Sequence, residues 1–357
     1  MRSTVARPAD SAAADRGRDA IAPWHIPLSG WKQIAGRTWR QTWIDNVGLV
    51  AAGVAFYGFL ALVPLLGLIV MVYGLVAEPQ TVVRNMQALT DILPNNIAVF
   101  IGEQLLSAVQ TAKETKGLGV LVALAFAFYG GSNGAGAIIT ALNIAYQEKE
   151  KRSLLRFYLI ALFMTLSAVV FALVALAATT AIAFLEELLP KASGATLAVS
   201  KAAAYVALLL VAAATAATLY RYAPSRENAR WEWITPGSLF TAVTWVLLTL
   251  GFGLYVTRVA DYDATYGSLG AVIALLSWMY LSAYVFVIGA ELNSEIEHQT
   301  AQDSTTGEPQ PMGQRGAWSA DHVARGVDPE QQVKQANKDA PSLGDAGPPV
   351  PTEEKAS

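Results

Sequence analysis

Hydrophobic and polar positions along this chain segregate by whole segments. Six stretches, 49–76, 117–142, 159–185, 202–220, 234–256 and 267–290, are almost purely apolar, and polar segments separate them. At about 1.5 Å per residue, each stretch makes a helix that covers roughly a bilayer's hydrocarbon core. The last is the plainest. It carries no charge between Gly267 and Ala290, has a small-residue face of Gly267, Gly270, Ala274 and Ser277, and returns to water at Glu291, Asn293, Glu295 and Glu297. Small residues let helices approach closely in lipid. The pattern predicts an all-α, polytopic membrane helix bundle with six transmembrane helices.

The segments outside the spans have patterns of their own. In 29–46, Trp31, Ile34, Ala35, Trp39 and Trp43 share one half of a helical wheel and Arg37 and Arg40 the other, with Lys32 intruding on the Trp flank. A basic, Trp-rich amphipathic helix suits the headgroup layer, which makes Trp31, Trp39, Trp43, Arg37 and Arg40 expected lipid contacts. The alternative is a plain surface helix leading into the first span. Residues 78–116 are too polar to span. Apolar positions at helical spacing on either side of Pro94 predict an amphipathic extracytoplasmic helical hairpin. Residues 1–28 and 298–357 are rich in small and polar residues without periodicity and are expected to be disordered tails flanking one membrane domain, 29–297.

Two spans are interrupted. Pro64 lies near the centre of the first, where it removes an N–H and crowds the carbonyl of Leu60. The resulting kink either presents a carbonyl to a substrate or is a packing bend that neighbours re-satisfy. The second span carries Gly130, Gly131, Ser132, Asn133, Gly134 and Gly136. Gly130 and Gly134 have the spacing of a helix contact face. The same run also suits a discontinuous helix whose freed backbone groups and Asn133 face a cavity. Tyr129–Thr140 echoes the segment from Tyr266, but in the wrong register for an inverted repeat, so the echo is read as chance.

Composition sharpens this picture. The chain of 357 residues is 54% hydrophobic and 15% charged, with mean hydropathy +0.37, as a membrane protein requires. It has no cysteine, which excludes disulfides and thiolate metal sites. The net charge of −3 argues against nucleic acid as the main partner. The polar first twenty residues lack the apolar core of a signal peptide. Basic residues Lys32, Arg37, Arg40, Lys149, Lys151, Arg152, Arg156, Arg221, Arg226 and Arg230 all fall on one side of a six-span arrangement. The positive-inside rule then places both termini in the cytoplasm of a bacterial inner-membrane protein.

Three stretches, AAGVAFYGFLALVPLL in the first span, ALNIAYQEKEKRS after the second and YGSLGAVIALLSWMYLSAYVFVIGAELN in the sixth, together resemble the YihY/BrkB family of bacterial inner-membrane proteins across about Trp31–Glu297. GSNGAG at 131–136 is more glycine-rich than the family pattern. The resemblance implies a six-helix membrane fold. It brings a virulence-factor label and an old ribonuclease label, but no settled activity and no catalytic residues. The ribonuclease label finds little in the residues. Hydrolytic nucleases need clustered metal ligands or a positioned acid and base, whereas the histidines, His25, His298 and His322, lie in or beside the tails.

The reading is therefore a non-enzymatic membrane protein that needs no cofactor and has membrane lipids as partners. A transporter or exporter of a lipid-like envelope amphiphile comes first. A scaffold that gathers envelope-assembly proteins comes second, and a ribonuclease last. The neutral groups offered to a headgroup are Ser132, Asn133, and backbone near Gly130, Gly134 and Pro64. Glu291, at the end of the sixth span, is expected to be a solvated helix end or to pair with Arg221, Arg226 or Arg230. No ionisable residue lies well inside a span, so proton or sodium coupling has no visible carrier.

Overall fold

A computed structural model describes residues 16–74, 118–167, 194–258 and 269–324. Its main helices are α1 (Leu28–Ile44), α2 (Val47–Gly74), α3 (Leu118–Ala145), α4 (Leu154–Ser167), α5 (Gly194–Tyr222), α6 (Trp231–Arg258) and α7 (Gly270–Glu297), with a single turn, α8 (Trp318–Asp321), near the C-terminal end. The described residues are helical apart from loops, turns and one isolated antiparallel bridge, Ala229 to Thr305. Two of these helices, Trp231–Val256 and Gly270–Glu297, are long and apolar enough to cross a membrane. A third span is added if the bent pair α1–α2 counts as one. The hairpin predicted over 78–116 and most of the span predicted over 159–185 lie outside the described residues.

Helix α7 is the centre of the packing, with α6, α2 and α1 against it, while α3 packs on α2 and α5 on α6. Leu49, Phe56 and Leu60 of α2, Leu159 and Phe163 of α4, and Leu247, Leu250 and Leu254 of α6 face outward. In water such apolar faces would demand cover. On membrane helices they are the lipid-facing surface.

The glycine-rich run in α3 is continuous helix from Leu118 to Ala145. Its glycines are contact points. Gly134 lies where a Cβ would meet Ala61 Cβ at 3.3 Å and Tyr57 O at 3.6 Å on α2, and Gly131 leaves room for the Thr165 side chain on α4. Of the two readings of this run, the contact face holds and the discontinuous helix does not. Lost helix propensity is offset where two backbones close on each other. Helix α2 likewise runs unbroken through Pro64.

The sharp bend in the chain lies elsewhere, at Asp45–Asn46. There α1 meets α2 at 65°, and Asn46 takes a left-handed backbone conformation, φ 49°. Asparagine tolerates this region better than most residues do.

Residues 16–27 and 298–324, expected as disordered tails, are folded against the polar end of the bundle. Thr300 Oγ1 donates to Ala20 O at 2.7 Å, and Ala301 N donates to Arg18 O at 2.7 Å. Thr306 N bonds Asn228 O and Arg230 N bonds Ser304 O, which ties the C-terminal segment to the loop between α5 and α6. Arg315 is buried and donates to the carbonyls of Ala301, Gln302, Gln310 and Ala320, while Asp303 accepts from Thr305 and Gln310. Low apolar content implies disorder only when a segment must build its own core. This one borrows a surface and is held by hydrogen bonds and two buried charges.

Candidate functional site

The polar end of α7 enters this cap, and its side chains organise it. Pro236 lies inside α6 and lacks the N–H that would meet Glu232 O. Asn293 bonds the backbone on either side of it. Its Oδ1 accepts from Gly237 N at 2.7 Å and its Nδ2 donates to Ile234 O at 3.0 Å, both buried. The two helices touch through glycine. A Cβ on Gly289 would overlap Thr241 Oγ1 and lie 2.6 Å from Tyr220 OH. The Tyr220 hydroxyl bonds Thr241 Oγ1 and Phe286 O, each at 2.7 Å, and thereby pins α5 to both helices.

Three acids leave α7 on this end, and each has a different environment. Glu297 is paired with Arg226 through two bonds of 3.1 and 2.6 Å. Both side chains are at most 1% exposed, and Ser304 Oγ adds a third donor at 2.7 Å. Burial pulls the Arg226 guanidinium down, but the Glu297 charge and hydrogen bonds outweigh it and hold it above its ordinary value. Glu295 takes Arg37 of α1, Nε to Oε2 at 2.5 Å, with His298 3.5 Å away. Glu291 is 0% exposed, and neither of its oxygens has a hydrogen-bond partner among the described residues. What faces it is another acid, Asp45, at the elbow between α1 and α2. Gln41 and Gln147 donate to Asp45 at 2.9 and 3.4 Å.

Tyr146, just past the end of α3, closes this pocket of polar groups. It is 1% exposed, its hydroxyl lacks a partner of good geometry, and the Arg226 guanidinium lies 4.9 Å from its ring centroid. Burial, then the Glu297 charge, push the phenol far above the ordinary tyrosine range, so it stays protonated.

The residues expected to contact an amphiphile divide between two places. Ser132 and Asn133 sit mid-helix on α3, with Ser132 buried and its hydroxyl unpartnered among the described residues, and Asn133 half-buried. Gly130 is half-buried beside them and Gly134 is packed on α2. The described backbone places Pro64 in α2. Of the expected interfacial residues, Trp39 and Trp43 project outward, 63% and 66% exposed, edge to face at 5.9 Å, and Arg40 is exposed on the same helix. Arg37 is committed to Glu295, and Trp31 packs against a small core of Ile34, Trp233 and Ile296. The buried stripe of α1 is Gly30, Ile34, Thr38 and Thr42, so the Trp39–Trp43 ridge is on the exposed side of the helix.

The expected arginine partners of Glu291 are all engaged elsewhere: Arg226 with Glu297, Arg230 with Thr305 O, and Arg221 with Ala229 O and the ring of Trp231. Sequence reasoning missed Asp45 and Tyr146. Tyr146 stands in the ALNIAYQEKEKRS stretch but Asp45 stands in no motif, and only the fold brings them near Glu291. The available signal was Asp45 itself, an acid at the junction between the amphipathic helix and the first span. Two of the three histidines, His298 and His322, flank the Trp318 ring at 5.1 and 4.6 Å, while His25 is exposed in a one-turn 3-10 helix. Among the described residues no group of three or more His, Asp or Glu side chains is placed to hold a metal.

The family model described as virulence factor BrkB matches residues 38–313, which takes in every described helix from the middle of α1 to α7 and most of the folded C-terminal segment. The chain belongs to the virulence factor BrkB family. A putative ribonuclease-like protein, YfkH, from Bacillus subtilis is 34% identical over 171 residues, 47% of this chain and 62% of that protein. A UPF0761 membrane protein from Pseudoalteromonas atlantica is 24% identical over 73% of this chain and 86% of its own. Another, from Vibrio cholerae, is 31% identical over 27% of this chain and 34% of its own. With YfkH and the Vibrio protein, the match spans less than two thirds of the relative's length. No solved structure matches. The BrkB-family match extends into residues 298–313, the segment that carries Asp303 and lies against the α5–α6 loop.

Proposed function

We propose that this BrkB-family chain is a six-span protein of the bacterial inner membrane, with both termini cytoplasmic, that moves a lipid-like envelope amphiphile. The topology is supported by the cap. The basic segments 149–156 and 221–230 and both terminal segments gather on one end of the bundle, as an even number of crossings with positive loops inside requires.

The observation that carries the amphiphile reading is the Ser132–Asn133 step. It places a buried hydroxyl that has no partner among the described residues beside a half-buried amide, in the middle of a mostly apolar helix. Polar groups at that depth are costly and are satisfied by other protein groups, by water or by a ligand. Neutral groups fit a headgroup whose tails stay in lipid. The outward Trp39, Trp43 and Arg40 suit collection of anionic headgroups at the cytoplasmic interface.

The test is lipid movement in liposomes holding the purified protein and a labelled anionic lipid. Wild type is expected to exceed empty liposomes, and Asn133→Leu is expected to lose the excess while keeping its fold. No movement above empty liposomes by folded wild type favours the scaffold instead. The scaffold reading has its own support in the solvated loop 306–314, which the cap presents to the cytoplasm. The ribonuclease-like name of the Bacillus relative makes RNA cleavage a third reading, which the described histidines, stacked on Trp318 or exposed near the N-terminus, do little to support.

A further inference from the structure

We propose that Glu291 and Asp45 together form a proton-binding site at the elbow between α1 and α2. The geometry is specific. Glu291 is wholly buried, and both its oxygens lack a donor among the described residues, whereas the other two acids of this helix end, Glu295 and Glu297, are each answered by an arginine. Drawn as two carboxylates, Glu291 and the half-buried Asp45 that faces it are both acceptors, and the two charges repel while Glu291 is wholly cut off from solvent. One proton changes this. Protonated Glu291 becomes a donor to Asp45, which keeps its negative charge and the bonds from Gln41 and Gln147.

The groups facing the site from each side leave it without a cation. From α1 there is Asp45, and from α7 itself Glu295, whose charge is already taken by Arg37. From the end of α3 comes Tyr146, buried and uncharged, whose nearer neighbours are Glu297, Arg226 and Asn293. Arg226, on the far side of that ring, is bound bidentately to Glu297. α6 presents the backbone of Ile234 and Gly237 to Asn293, and α2 packs Gly48 near Tyr280 and Tyr284. All of these are uncharged.

The site also has a mechanical consequence. Asp45 caps α1, and Asn46 makes the 65° turn into α2. Removing the proton places two like charges across the α1–α7 contact and loosens the interfacial helix from the bundle. The site stands whether or not an amphiphile crosses, and it supplies the proton-binding group that the spans themselves lack.

The experiment is infrared titration of the full chain in nanodiscs, following the carbonyl stretch of protonated carboxylic acids. At neutral pH wild type is expected to show such a band, which disappears on alkaline titration. Glu291→Gln removes the band and keeps the fold, since an amide donates to Asp45 as the protonated acid does. Asp45→Asn supplies a donor and removes a charge, so its band disappears at lower pH than in wild type. A second readout uses Thr42→Cys on the buried face of α1. Its labelling by a thiol reagent is expected to accelerate with pH more steeply than in the same variant carrying Glu291→Gln. Absence of the band at neutral pH in folded wild type, or its persistence in Glu291→Gln, overturns the proton site. Equal acceleration in the two thiol series overturns its link to the elbow.

Discussion

The Arg226–Glu297 pair offers the sharpest test of how the cap is held. Arg226 leaves the loop after α5 and meets Glu297 at the last turn of α7, and the side chains are 1% and 0% exposed. Replacing Arg226 by Met keeps much of the apolar stem over Tyr146 and removes both charged bonds. Glu297 then retains Ser304 Oγ as a donor but no compensating charge. Breaking one side of a buried pair costs about 3–5 kcal/mol, because the remaining charge stays desolvated. The lost contact with the Tyr146 ring adds about 0.5–2 kcal/mol. At about 2 °C per kcal/mol for a chain of this size, the midpoint should fall by roughly 7–14 °C. Thermal unfolding of detergent-solubilised protein, followed by tryptophan fluorescence, reads this directly.

Two controls make the result interpretable. In Arg226→Met/Glu297→Leu no charge is left unpaired, so most of the loss should return. Lys151→Met removes an ion pair to Glu148 whose lysine is 65% exposed, and a change of about 1 kcal/mol or less is expected. If Arg226→Met proves no worse than Lys151→Met, or if the double variant melts with the single one, the cap is not held by this pair.

Further outcomes follow from the same contacts. Gly289→Ala drives a methyl into Thr241 and Tyr220 at the α6–α7 crossing and should cost about 1–3 kcal/mol, with Thr241→Ala in the same chain recovering part of it in the same melting assay. Glu150, bonded by Arg152 and Asn143, is held down to about 2 from 4.5. Its contribution to stability is therefore complete above pH 4.5 and lost as pH falls toward 2, and Glu150→Gln should flatten that acid limb of an unfolding-against-pH series. Single cysteines placed at the exposed positions Ser153 and Gln310 should resist a membrane-impermeant thiol reagent in intact cells, whereas one at Thr111 reacts. Ser225 is a poor reporter, since at 7% exposure it resists labelling on either side.

Much of the helical frame was legible because it rests on long apolar runs. The predicted spans 117–142, 234–256 and 267–290 correspond to α3, α6 and α7, whose ends differ by a few residues as helix ends do. What the pattern could not carry is anything set by which polar groups meet. Asn293 looked like a solvated helix end, and its role depends on the backbone around Pro236, 57 positions earlier, which it bonds at Gly237 N and Ile234 O. The glycine run at 130–136 was equally compatible with a break or a contact face. The neighbour that decides it, Ala61 opposite Gly134, lies on another helix. The C-terminal segment read as disordered because it has no apolar periodicity. Its order comes from one arginine, Arg315, collecting four carbonyls, which leaves no periodic trace in a sequence.

The same limit explains Glu291. Three acids at a helix C-terminus oppose its macrodipole, so each needs an opposing charge or must lose its own. Arg37 answers Glu295 and Arg226 answers Glu297, both from segments remote in sequence. Had an arginine stood where Asp45 stands, the third acid would have been answered in the same way and the elbow would be fixed at every pH. An acid stands there instead, half-buried and facing the wholly buried Glu291. A proton is the smallest cation that can enter such a space, and binding it turns one of the two acceptors into a donor. The identity of residue 45 thus separates a fixed joint from one whose state follows proton binding, at the place where the interfacial helix turns into the membrane.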